Sequence, residues 1–133
     1  MPEAAHARAE ITLRFLAAPT DAGQSGSVSA GRVLEWIDKA GYAAAAGWSG
    51  TYAVTAYVGN VRFTRPVEVG ELVEVSARVV HTGRTSMHVT VDVASGQPAT
   101  RVLEPATRCL MVFVSVDEHG ASTPVRELVP RTL

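Results

Sequence analysis

The sequence predicts an α+β domain, one long helix laid against an antiparallel sheet of about five strands. Three observations carry this. Residues Ser29 to Ala46 (SAGRVLEWIDKAGYAAAA) repeat apolar residues at helical spacing. One run before that segment and two after it alternate apolar with polar residues, a third is rich in Val, Thr and Tyr, and the last, Thr107 to Val116, is a largely apolar run. The later strands follow one another through short turns, which favours antiparallel pairing and places the single helix on one face of the sheet.

The elements follow in order. A single domain spans 1–133, with its core over about 10–130 and residues 1–8 as its short loose N-terminal tail. Ile11, Leu13 and Phe15 alternate with Thr12 and Arg14, a half-buried strand. Pro19 to Ser27 is a Gly/Ser/Asp-rich loop, and the helix that follows stops near Gly47 and Gly50. Tyr52 to Phe63 is the next strand, and Pro66 to Gly70 a turn-bearing connection. Leu72 to Val80 alternates, His81 to Arg84 is a tight turn, and Met87 to Val93 alternates again. Ala94 to Pro105 is a polar connection, and Thr107 to Val116 is the last strand, ending at the turn Asp117-Glu118-His119-Gly120.

Composition excludes several function classes. The 133 residues are 47% apolar and 19% charged, with a net charge of −1, so there is no bulk-charge basis for binding nucleic acid or an anionic membrane. The single cysteine, Cys109, forms no internal disulfide or cysteine cluster; its apolar run marks it as a buried thiol. No stretch approaches the length of a membrane span and the N-terminus lacks a signal-peptide core, so the expectation is a soluble, cytoplasmic protein. No glycine-rich phosphate loop precedes a Lys-Ser/Thr pair.

One residue breaks the helix pattern. At about 100° per residue, Leu34, Ile37, Gly41, Ala44 and Ala45 share an apolar, small-residue stripe, with Arg32, Glu35 and Lys39 opposite. Asp38 falls inside or at the edge of that stripe. A carboxylate there is costly to bury unless it is paired, solvated in a cleft or used in chemistry. Asp38 is therefore the first functional candidate, the alternative being a partly exposed helix acid paired with a neighbouring base. The small residues on the stripe let a sheet approach the helix closely.

Four stretches, in this order and spacing, resemble the hotdog-fold acyl-CoA thioesterases of the acyl-CoA hydrolase branch. They are Gly31 to Ala40, Val54 to Phe63, Pro66 to Glu71 and Gly83 to Met87, and the resemblance spans roughly Thr12 to Pro130. It implies a hotdog fold, with one long central helix wrapped by the sheet. It implies hydrolysis of an acyl-CoA to free CoA and a carboxylic acid without a metal or redox cofactor. It also implies a homo-oligomer built from dimers, with active sites at the dimer interface and a possible trimer of dimers.

Carried onto this chain, the resemblance makes Asp38 the general base or nucleophile. The helix N-terminus at Ala30 and Gly31 would polarise the thioester carbonyl. Arg84, Thr85 and Ser86 would line the CoA channel, Arg62 and Arg65 would meet nucleotide phosphates, and Thr55 would approach the acyl end. For each of these, ordinary turn, strand or surface roles are the alternative. Two departures stand out. The family's Asn in the loop before the helix falls on Gly23 here, with Gln24 adjacent as a substitute, and the first of the family's paired glycines is Ala30.

The competing readings are a non-catalytic acyl-CoA-binding hotdog protein, which Gly23 supports, and a dehydratase. The dehydratase needs a histidine near the helix, and residues 29–50 have none. No metal site is expected, since His81 and His88 lie seven apart across a turn and no histidine pair shows ligand spacing. Ser86 and His88 lack a nearby acid for a catalytic pair, and Trp36 and Trp48 read as packing or interface residues rather than ligand stackers.

Overall fold

A computed structural model describes residues 9–129; the tail expected over residues 1–8, and the chain from residue 130 onward, lie outside the described residues. The elements are β1 (Glu10–Leu16), a short 3-10 turn (Pro19–Asp21), α1 (Ala30–Ser49), β2 (Tyr52–Phe63), β3 (Leu72–Thr82), β4 (Ser86–Gly96) and β5 (Leu103–Val116). They form one five-stranded sheet in the order β1-β3-β4-β5-β2, with every neighbouring pair antiparallel. This is the helix-and-sheet layout expected from the sequence. β2 and β3 are consecutive but not paired, because the chain crosses from one side of the sheet to the other after Phe63.

Alternation decides which face meets the helix. Val73, Val75, Ala77 and Val79 of β3, Met87, Val89, Val91 and Val93 of β4, and Cys109, Met111 and Phe113 of β5 are all buried. From α1 they receive Val33, Trp36, Ile37, Ala40, Gly41, Ala44, Ala45 and Trp48. The small residues do allow close approach: a Cβ on Gly41 would lie 2.8 Å from Met111 Sδ and 3.1 Å from Phe113 Cε2. Trp36 stands edge-on to Phe15, with ring centroids 4.8 Å apart.

Three local expectations are corrected and one is narrowed. The buried face of α1 is rotated away from Leu34, which is 37% exposed, toward Val33, Trp36 and Ala40. Of the two glycines expected near the end of α1, Gly47 stays helical and Gly50 ends the helix with a left-handed φ of 70°. The connection expected over Ala94 to Pro105 is largely strand, since Ala94, Ser95 and Gly96 pair with Pro105, Glu104 and Leu103. The turn expected from His81 starts later, as a bulge after Val79 keeps His81 and Thr82 in β3.

Candidate active site

Asp38 lies at the edge of the buried stripe, on an exposed face of α1 between Leu34 and Tyr42, one turn to either side. Its Oδ1 accepts a hydrogen bond from Thr55 Oγ1 of β2 at 3.2 Å. These two candidates are thus brought together, and the bond orients a carboxylate that is open to solvent in the single chain.

The helix N-terminus is built from several local contacts. Ser29 caps it, its Oγ accepting from the Arg32 N–H at 3.2 Å. Asp21 steadies the approach. Its Oδ2 accepts from the Ala18 N–H at 2.8 Å, its carbonyl from the Ser29 N–H at 3.2 Å, and its Oδ1 sits 3.2 Å from Arg32 Nε. The cap leaves the N–H groups of Ala30 and Gly31 at the free start of the helix, with its positive dipole end. Ala30 and Val33 line an open cleft of about 360 Å³ with Phe63, Thr64 and Thr107.

The loop carrying Gly23 is closed on itself. The Gly23 N–H donates to the Ser27 carbonyl at 2.7 Å, and the Val28 N–H donates to the Val67 carbonyl at 2.8 Å. A Cβ on Gly23 would meet Ser29 Cβ at 3.0 Å, so a larger residue requires Ser29 to yield slightly. Gln24 is exposed at the loop tip.

Arg65 lines the cleft, but its guanidinium is committed elsewhere. Nη1 donates to Ser95 O at 2.8 Å and Ser95 Oγ at 2.6 Å, and Nη2 donates to Glu71 Oε2 at 3.1 Å. The other Glu71 oxygen accepts from the Glu68 N–H at 2.8 Å. Burial by itself raises the Glu71 carboxyl pKa. The Glu68 N–H, the Arg65 guanidinium and the Ser95 hydroxyl outweigh it and hold the group below the usual carboxylate range. Sequence reasoning missed Glu71 and Ser95, whose partners lie 6 and 30 residues from them along the chain. Arg62, by contrast, is exposed on β2, in register with Arg108.

Arg84, Thr85 and Ser86 occupy the β3–β4 turn. It is tied down by Gly83 N–H to Ser86 O, Ser115 N–H to Thr85 O, and Val125 N–H to Arg84 O. The Arg84 side chain is exposed. This turn lies at the C-terminal end of α1, since Ser115 also meets Thr51 just past that helix. Ala30 and Gly31 are at the opposite end of a 20-residue helix, about 30 Å long. Within one chain the structure does not bring the turn and the helix N-terminus together.

β2 is an open edge. Along its 12 residues Tyr52, Val54, Tyr57, Val58 and Phe63 are each about half exposed or more, beside Leu34 and Tyr42 of α1. A long apolar edge strand of this kind is a ready template for pairing with another chain.

Comparison with known proteins bears on the same elements. Residues 25–101 match the model of the thioesterase superfamily. The acyl-CoA thioester hydrolase YciA of Salmonella typhimurium is 32% identical over 119 residues, covering 87% of this chain and 90% of that protein. Its Escherichia coli counterpart is also 32% identical, over 84% of this chain and 86% of that protein. Among solved structures, an apo-hexameric acyl-CoA thioesterase superposes with a TM-score of 0.90 at 33% identity, covering 96% of this chain and 81% of that one. An acyl-CoA hydrolase from Bacillus cereus superposes with a TM-score of 0.89 at 27% identity, covering 96% of this chain and 77% of that one.

Proposed function

The chain belongs to the thioesterase superfamily, and from that premise we infer that it is an acyl-CoA thioesterase. Its reaction is hydrolysis of an acyl-CoA to free CoA and a carboxylic acid. The observation that carries the site assignment is the Asp38–Thr55 pair, a solvent-accessible carboxylate held beside an open sheet edge.

In the proposed reaction Asp38 removes a proton from water, and the resulting hydroxide adds to the thioester carbonyl carbon. In the variant route the carboxylate adds directly, and water then cleaves the anhydride. Collapse of the tetrahedral oxyanion breaks the C–S bond; in the first route the departing sulfur takes the proton held on Asp38, and in the second it leaves as thiolate and is protonated by the water that cleaves the anhydride. The amides of Ala30 and Gly31 stabilise the oxyanion. Gly31 and Asp38 are seven residues apart on one helix, about 10 Å along its axis, which is too far for both to act on one carbonyl. A second copy paired across β2 brings its own helix start to this Asp38 and its own Arg84-Thr85-Ser86 turn toward this chain's helix start. The working unit in this proposal is thus a homo-oligomer, with the dimer as its minimum and a trimer of dimers as the larger assembly.

Arg84, Thr85, Ser86 and Arg62 then serve the CoA moiety. Arg65 shapes the cleft from beneath through Ser95 and Glu71 rather than meeting phosphate. Gln24 is the polar group offered where Gly23 has no side chain. Gly23 is also what favours the second reading, an acyl-CoA-binding protein with little turnover. No helix among the described residues is long and apolar enough to cross a membrane, and a cytoplasmic location is part of the proposal.

The test is thiol release from short, long and aromatic acyl-CoAs by wild type and Thr55→Val. Turnover on at least one substrate is expected, with kcat reduced about tenfold in the variant as the carboxylate loses its orienting bond. Tight CoA binding without turnover on any substrate would favour the binding-protein reading.

A further inference from the structure

The spacing of His81 and His88 gives no ligand pattern in the sequence, but the fold changes their relation. The bulge after Val79 shifts β3 by one residue, so His81 stands directly opposite His88 of β4. Their ring centroids are 5.0 Å apart, at an interplanar angle of 87°. Both lie on the sheet face away from α1: Met87 and Val89, on either side of His88, are buried beneath the helix, and the bulge at Val80 turns His81 to the face opposite Val79. His81 is exposed and His88 half-buried, with Val112 beside His88 on β5.

We propose that His81 and His88 form a two-histidine site for a borderline divalent transition ion (Cu²⁺, Ni²⁺ or Zn²⁺), with water completing the coordination. The spacing fits. An imidazole nitrogen binds such an ion at about 2.0–2.1 Å, which puts each ring centroid about 3.2 Å from it. Two rings sharing one ion at nitrogen–metal–nitrogen angles of about 90–110° are then about 4.5–5.2 Å apart. The observed separation falls inside that window, so binding requires rotation of the rings rather than movement of the strands. His88 is paired on both sides, to His81 of β3 and Val112 of β5, and His81 is held by its pairing to β4, so the backbone positions are set in advance. Imidazole pairs suit these metals in preference to Mg²⁺ or Ca²⁺. Among the described residues no third histidine, cysteine or carboxylate joins the pair. His81 precedes Gly83 by two residues and His88 follows Ser86 by two, so a bound ion clips the base of the turn that carries Arg84.

Calorimetric titration of the tag-free, chelator-treated full chain with NiCl₂, CuCl₂ and ZnCl₂ at neutral pH tests this. One ion per chain is expected, with Kd below about 100 µM for Cu²⁺ or Ni²⁺. His81→Ala and His88→Ala should each weaken binding at least about tenfold, and His119→Ala should leave it unchanged. Electron paramagnetic resonance of the Cu²⁺-loaded wild type should show two coordinated nitrogens, a readout that does not depend on the variants folding. Absence of binding for all three ions, wild-type affinity in either histidine variant, or a spectrum without paired nitrogen ligands would overturn the site.

Discussion

Replacing Glu71 with alanine should cost the fold about 2–3 kcal/mol. Two groups lose their acceptor. The Glu68 N–H, bonded at 2.8 Å to Oε1, is left without a protein partner, worth about 1 kcal/mol. The Arg65 guanidinium, 3.1 Å from Oε2, loses a charge-assisted bond. Such a bond is worth up to about 3 kcal/mol when buried, discounted here to about 1.5 because the Arg65 side chain is 28% exposed and keeps its two bonds to Ser95. Urea unfolding followed by the fluorescence of Trp36 and Trp48, at one fixed protein concentration, measures the loss. Glu71→Gln should lose roughly half as much, since an amide oxygen still accepts from Glu68. In an Arg65→Met background the cost of Glu71→Ala should shrink, because the guanidinium is already gone. The pH dependence has a definite sign. The folded pKa lies below the ordinary 4.5, so the carboxylate's contribution is present above that value and lost as pH falls through the lower folded value. The gap between wild type and Glu71→Ala should therefore narrow in acid. A loss below about 0.5 kcal/mol, or the same loss with Arg65 absent, would refute the ion-pair reasoning.

Two further substitutions probe the helix and its entry loop. Gly41→Val should destabilise by about 3 kcal/mol in the same unfolding assay, since its Cβ alone meets Met111 and Phe113 at 2.8 and 3.1 Å. Gly41→Ala should stay within about 1 kcal/mol, because helix propensity offsets part of the crowding. Gly23→Asn should raise kcat in thiol release about tenfold, as a loop amide comes to orient water or the carbonyl, at a stability cost near 1 kcal/mol from contact with Ser29.

The sequence made the fold legible because its periodicities are strong. Alternation in Leu72 to Val80 and Met87 to Val93 assigned the buried valines, and the small residues of α1 announced a close helix–sheet contact. It failed where long-range contacts override local pattern. Leu34 has the right spacing for the core, yet the sheet meets α1 nearer Val33 and Ala40. The strands extend past their apparent ends because Ala94 to Gly96 pair with Leu103 to Pro105 across the sheet. In the site, Asp38 stood out as a charge on an apolar stripe, and Thr55 came with the family resemblance. The commitment of Arg65 to Ser95 and Glu71 was invisible, because nothing local marks an arginine as structural. The His81–His88 apposition was hidden by a one-residue bulge that spacing alone does not reveal.

The most direct measurement is steady-state thiol release by Asp38→Asn against wild type, on the best acyl-CoA of a panel, with CoA affinity measured in parallel. If Asp38 is the base or nucleophile, kcat falls at least about 100-fold while CoA binding is retained. Turnover that survives the substitution, with kcat within a fewfold of wild type, would contradict the assignment and move the chemistry away from the Asp38–Thr55 pair.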